Sequence, residues 1–189
     1  MRRKLILGVA ALALPLGMVA TLGAGSATAN ANATGKGTYS CKKLTGTISF
    51  NPPLSNTAKI ETTTVSAVAS SCTGTANPAV TTATSKSTTK GTKPTSCTGL
   101  VSTTTAVKFT TTYTPAGTAP STFTGSAKGG TNSAGQATFA VTGKVTGSYP
   151  SASAKANAVI KQTVSQILAM CGSTGVKTLN IASGTTTTN

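Results

Sequence analysis

Glu61 is the one acid in this chain, and there is no histidine for it to share a proton with. General acid–base chemistry draws on histidine or on tuned carboxylates, and glycoside hydrolysis on a carboxylate pair. Neither a histidine base nor two carboxylates can be assembled from these residues. Histidine-built zinc and iron sites are excluded on the same ground, and calcium usually takes several carboxylates. Cys41, Cys72, Cys97 and Cys171 could hold zinc as thiolates, but none of them forms a C-x-x-C pair. Ser87-Thr88-Thr89-Lys90 matches the S-x-x-K string of penicillin-recognising enzymes. In a segment composed of Ser, Thr and Lys that match carries little, and that fold needs a helix at this point. A minimal Ser/Lys hydrolase is therefore kept only as an alternative, since a buried lysine can act as a base. A lysine–asparagine isopeptide bond assisted by a buried acid would be another use of Glu61. A lone glutamate at a strand start beside Lys59 is, however, expected at the surface. The reading is non-enzymatic, with no catalytic residue, no metal and no cofactor.

Lysine supplies the remaining chemistry. All 13 lysines beyond residue 29 face a single acid, which leaves a charge of +12 once a leader is removed. Lys42-Lys43 beside Cys41, and Lys86, Lys90 and Lys93 in one basic segment, form a candidate anion-binding set. Anionic cell-wall polymers are the expected partner. The alternative is another envelope protein, bound by a partner-binding or assembly module that presents sheet edges. Both arginines, Arg2 and Arg3, lie in the leader, and tryptophan is absent. Bidentate base recognition and base stacking are thereby disfavoured, so no specific nucleic acid is expected.

The start MRRKLILGVAALALPLGMVATLGAGSATANANA has a basic beginning, an apolar run from Leu5 to Leu22 and A-x-A cleavage candidates. It reads as a secretory signal peptide over residues 1–29, so the mature protein is expected outside the cell, in the extracellular space or the envelope. No later apolar run is long enough to span a bilayer as a helix. Export favours disulfides over free thiols.

The elements that must position these residues are mostly strands. Residues 30–38 read as a flexible lead-in, 39–183 as one β-rich domain and 184–189 as a disordered tail. Leu44, Gly46, Ile48 and Phe50 alternate with Thr and Ser, which makes a strand ended by Asn51-Pro52-Pro53. Further strands are expected at 60–70, 79–85, 100–113, 121–127 and 136–147, with the segment SKSTTKGTKPTS as a loop. KANAVIKQTVSQILAMC shows helical spacing at Ile160, Val164, Ile167, Leu168 and Cys171, and predicts one amphipathic helix. VKTLNIASG adds a last strand. The expected fold is mainly β: an antiparallel β-sandwich or barrel-like domain with one C-terminal helix, stabilised by disulfides.

Four cysteines allow three pairings. The midpoint of Cys41 and Cys72 falls near Asn56, in the turn after Pro53. An antiparallel hairpin brings the start of one strand to the end of the next. Cys41–Cys72 then closes the first hairpin, and Cys97–Cys171 follows by elimination.

Taken together, C-x-x-L-T-G-T-I-S-F-N-P-P-L, S-C-T-G, S-C-T-G-L and I-L-A-M-C-x-x-x-G-V-K-T-L-N-I-A-S-G resemble a group of uncharacterised small secreted proteins of actinobacteria. The resemblance implies export and a disulfide-bonded β-rich domain. It supplies no catalytic residue.

Overall fold

A computed structural model describes residues 33–189; the expected signal peptide and the first residues of the lead-in lie outside them. Eight strands run β1 (Tyr39–Leu54), β2 (Thr62–Gly74), β3 (Thr82–Lys90), β4 (Thr104–Thr114), β5 (Ser121–Thr131), β6 (Gln136–Gly147), β7 (Ser151–Thr163) and β8 (Val176–Thr188). Each pairs antiparallel with the next, and β8 returns to β1, so the sheet is a closed barrel. Two short helices, α1 (Cys97–Leu100) and α2 (Val164–Gly172), follow β3 and β7. Both therefore lie at one end, called here the α-end.

Closure explains three departures from the expected elements. Residues 184–188 are not a disordered tail. They continue β8, pairing with Ala154–Ala158 on one side and with Ser40 and Cys41 on the other. Thr188 is buried and its hydroxyl accepts from the Tyr39 amide at 2.9 Å. SKSTTK is likewise strand, because Thr82–Lys90 pairs along its length with β2. The lead-in is tied down too: Lys36 and Asn77 exchange backbone bonds of 3.0 and 2.9 Å. In the first two cases a polar Thr- or Lys-rich segment is ordered by ladder bonds from a neighbouring strand, and the lead-in is held by an isolated bridge to the connection between β2 and β3.

Two more boundaries shift. β1 continues through Pro52 and Pro53 to Leu54. Its pairing with β2 ends at Asn51, and its pairing with β8 skips from Ser49 to Leu54, so neither proline is asked for an N–H. The expected long helix is divided. Ala154, Ala158 and Ile160 are buried at every second or fourth position, a strand pattern, and the helix begins only at Val164. Thr163 sets that start with a capping box. Its hydroxyl accepts from Gln166 N–H at 3.2 Å, and Gln166 Oε1 accepts from Thr163 N–H at 2.9 Å. Thr163→Ala is expected to lower stability by about 1 kcal/mol in urea denaturation.

Both disulfides form in the expected pairs, Cys41–Cys72 and Cys97–Cys171. The first joins directly opposed residues of β1 and β2. The second fastens α1 to α2 across the α-end, above the buried Leu54, Ile167, Val176 and Leu179. The opposite end is closed by Tyr39, Tyr113 and Tyr149, which meet edge to face with centroids 4.7 to 5.9 Å apart. Their polar tips are held: Tyr113 donates to Ser121 Oγ at 2.7 Å and Tyr149 to the Pro78 carbonyl at 2.7 Å. The Tyr149 ring lies so close on Gly35 that a Cβ there would sit 2.4 Å from it. Only glycine lets the lead-in cross this ring.

Candidate functional site: the barrel lumen

Between the tyrosine plug and the helical cap the barrel is not filled. An eight-stranded barrel is just wide enough for side chains to fill it or for one small ligand to occupy it. Here the inward positions carry small residues: Ala67 and Ala69 on β2, Ala83 and Ser85 on β3, Ala127 on β5, Ala154 and Ala156 on β7. Strand closure sets the circumference, so small side chains leave a void. The result is a cavity of about 280 Å3, close to the lower end of the roughly 300–1,000 Å3 typical of small-ligand sites. Leu44, Ile48, Phe50, Val65, Val107, Phe109, Phe123, Phe139 and Val141 make most of its remaining wall apolar. Ser85 and Thr111, opposed across β3 and β4, satisfy each other with a hydroxyl contact of 2.9 Å.

The cavity has a side opening. β3 and β4 pair only from Thr82–Thr114 to Lys86–Thr110, after which the two strands separate. Ser87–Lys90 and Thr104–Phe109 face each other across a slot at the α-end. Thr89, Thr103, Thr105 and Ala106 line the cavity there and are also exposed, so the lumen reaches solvent at this point.

Glu61 stands beside the slot. It precedes β2, and its carbonyl accepts from Gly91 N–H at 2.8 Å. Contrary to the surface position expected for it, the residue is 5 % exposed and lines the cavity. Its Oε1 is buried without a hydrogen-bond partner. The one other buried side-chain oxygen without a partner, among the described residues, is Thr186 Oγ1, and Thr186 lines the same cavity. Burial pushes the Glu61 carboxyl above the ordinary carboxylate range.

This has a sign that can be measured. A carboxyl whose folded pKa exceeds its unfolded value contributes stability below the unfolded pKa and loses it as pH rises through the folded one. The sequence has no aspartate or histidine, and no cysteine is free, so Glu61 is the one carboxyl side chain that can give stability a pH dependence on the acid side of neutrality. Stability is expected to fall as pH rises from about 4 through the raised pKa of Glu61, then level off. Glu61→Gln should remove the fall and be the more stable protein at neutral pH. A flat wild-type profile in urea denaturation across that range would refute the assignment.

The other anticipated site residues are dispersed. All 13 lysines of the described residues are exposed. Lys42 and Lys43 lie on β1 toward the tyrosine end, whereas Lys86 and Lys90 lie on β3, two strands away, and Lys93 follows in the loop. These five make no single patch; Lys108, Lys128, Lys144, Lys155, Lys161 and Lys177 continue the charge around the wall. Ser87 faces the lumen while Lys90, three residues on, is exposed. Odd spacing on a strand puts them on opposite faces, so they form no catalytic dyad. The cysteines are consumed in disulfides, and the described residues hold no cluster suited to a metal.

The outer wall is a surface of exposed threonines, such as Thr64, Thr88, Thr110, Thr124 and Thr142, interspersed with lysine. Ile60, Val68 and Leu168 are the exposed large hydrophobics among the described residues. A membrane-spanning barrel has the reverse arrangement, an apolar outer band around a polar lumen. No helix of the described residues is long and apolar enough to cross a membrane. No family model matches this chain, nor does any curated protein or solved structure.

Sequence reasoning missed the lumen-lining alanines and Thr186. A signal was present in Ala154, Ala156 and Ala158, which repeat every second residue. Alanine also suits a helix, and the spacing of the residues after it favoured that assignment.

Proposed function

We propose that this chain is a secreted, non-enzymatic binding protein that holds one small, mainly apolar molecule inside the barrel. The observation that carries the reading is the apolar cavity inside the barrel, to which both unpartnered buried oxygens belong. Binding in such a cavity gains from apolar area removed from water, at about 25 cal/mol per Å2. Export is supported by the leader-like start and by two disulfides, which form in oxidising compartments. A non-catalytic role is supported by the shortage of proton-handling groups. N-phenyl-1-naphthylamine, a neutral probe that brightens in apolar surroundings, is expected to bind saturably at one site per chain. Its affinity should not change when salt is added. Absence of saturable binding would refute the proposal.

The lysine coat favours a second, compatible activity: loose attachment to anionic surface polymers. Thirteen exposed lysines against one buried acid leave the outer wall uniformly cationic. Such attachment should be lost near about 0.5 M salt, where the screening length falls to a few ångströms. Retention on immobilised polyphosphate across a salt gradient tests it. Assembly through sheet edges is less well supported, because closure leaves only short unpaired stretches of strand, the slot among them.

A further inference from the structure

The carrier reading leaves open what head group the ligand bears, and Glu61 bears on that question. Its position is set by the backbone bond to Gly91, and its carboxylate is buried at the lumen wall with Oε1 unpartnered. A buried anion without a partner is costly, and it is stabilised chiefly by a cation or a strong donor. Every lysine of the described residues is exposed; Lys155 alone adjoins the cavity, and on β7 it alternates with the inward Ala154 and Ala156, so its side chain faces outward. The nearby slot residues Ser87, Thr89, Thr103 and Thr105 add hydroxyls at the mouth. Deeper in, Leu44, Ile48, Val65 and Phe109 present hydrocarbon. One end of the site is therefore anionic and hydroxyl-lined, and the rest is apolar.

We infer that the barrel's ligand is an amphiphile with an apolar body and a protonated amine head, that the head pairs with Glu61, and that it enters through the slot between β3 and β4. This rests on the carrier reading. The body occupies the lumen, and the ammonium supplies the donors that Oε1 lacks. The outer wall makes the inference discriminating. A cationic surface by itself attracts anions, so nonspecific binding to this protein would favour a carboxylate-headed chain over an amine-headed one. A preference for the amine has to come from a local negative group, and Glu61 is the only acid the sequence contains.

Displacement of bound N-phenyl-1-naphthylamine by decylamine, decanol and decanoic acid tests this on the folded, oxidised chain. Decylamine is expected to bind about tenfold or more tightly than decanol, as a charge-assisted hydrogen bond allows, with decanoic acid weakest. Glu61→Gln should bring decylamine to the level of decanol. Glu61→Met, which also removes the charge, should do the same and guards against a folding defect peculiar to one variant. Equal binding of decylamine and decanol by the wild type would overturn the amine inference, as would a preference that persists in both variants. In either case the bound probe would still support the carrier reading. If neither the probe nor any of the chains binds, the carrier reading fails and takes the inference with it.

Discussion

Replacing Cys97 and Cys171 with alanine is expected to remove about 4 kcal/mol of stability, the largest effect of any change considered for this chain. The bond spans 74 residues and encloses β4 to β7, half of the barrel wall. In the chain-entropy account a loop of that length contributes about 4.5 kcal/mol, and the 31-residue Cys41–Cys72 loop about 3.7 kcal/mol. Against a typical domain stability of about 5–15 kcal/mol either loss is large. It weighs more here because the interior is thin. Many of the buried apolar residues are alanines, including Ala67, Ala69, Ala83, Ala137 and Ala158, and each removes little area from water. The Cys97–Cys171 bond also has a local task. It holds α1, four residues long, against α2 as the cap of the α-end, and a helix that short does not persist alone. Urea denaturation of the oxidised proteins measures both losses. If each double-alanine variant lost less than about 1 kcal/mol, ladder closure rather than cross-linking would be the principal support.

Filling the lumen should separate binding from folding. Ala156→Phe places a ring from β7 into the cavity wall, where Ala156 lies opposite Val141 of β6 and Thr186 of β8. Probe affinity is expected to fall by about a hundredfold or more, equivalent to roughly 2.7 kcal/mol. Stability should rise by about 0.5–2 kcal/mol, as cavity-filling substitutions commonly do. The two readouts together are diagnostic. In a core already packed, the added ring would cost about 1–3 kcal/mol instead. Ala127→Phe on β5 approaches the same space from another strand and should behave alike. A variant that is destabilised yet still binds the probe would place the binding site outside the barrel.

The local signals in the sequence are strong where one residue type has one meaning. Pro115 and Pro120 bracket the connection between β4 and β5, and the segment 136–147 is β6 with those bounds, whereas the Gly129-Gly130 pair, which looks like a break, lies inside β5 opposite Phe139 and Thr138. Thr163 and Gln166 stood in the spacing of a capping box, so the true start of α2 was legible there, but helical periodicity upstream obscured it. The failures fall on Thr, Ser, Lys and Ala runs. Lys86–Lys90 and Thr185–Thr188 have no large apolar residue to mark an inner face, and their strand state comes from neighbours distant in sequence. The lumen was illegible for a related reason. Gly125 and Gly143 fall inside the expected strands 121–127 and 136–147, but only the pairing of β5 with β6 shows that they stand opposite each other. The Phe123 ring lies within 2.9 Å of where their Cβ atoms would be, so glycine is what gives that ring its place.

The sequence by itself determined the lack of a histidine and of a second carboxylate, the mainly β character and the cationic balance, and it favoured one of the three cysteine pairings. These follow from composition and from spacing along the chain, which folding does not alter. Only the tertiary structure decided that the sheet closes, that Glu61 turns inward unpaired and that the small side chains of different strands face one shared void. A strand's alternation tells which residues share a face. Which face becomes the inside, and how much space is left there, depends on the circumference set by eight strands closing on one another.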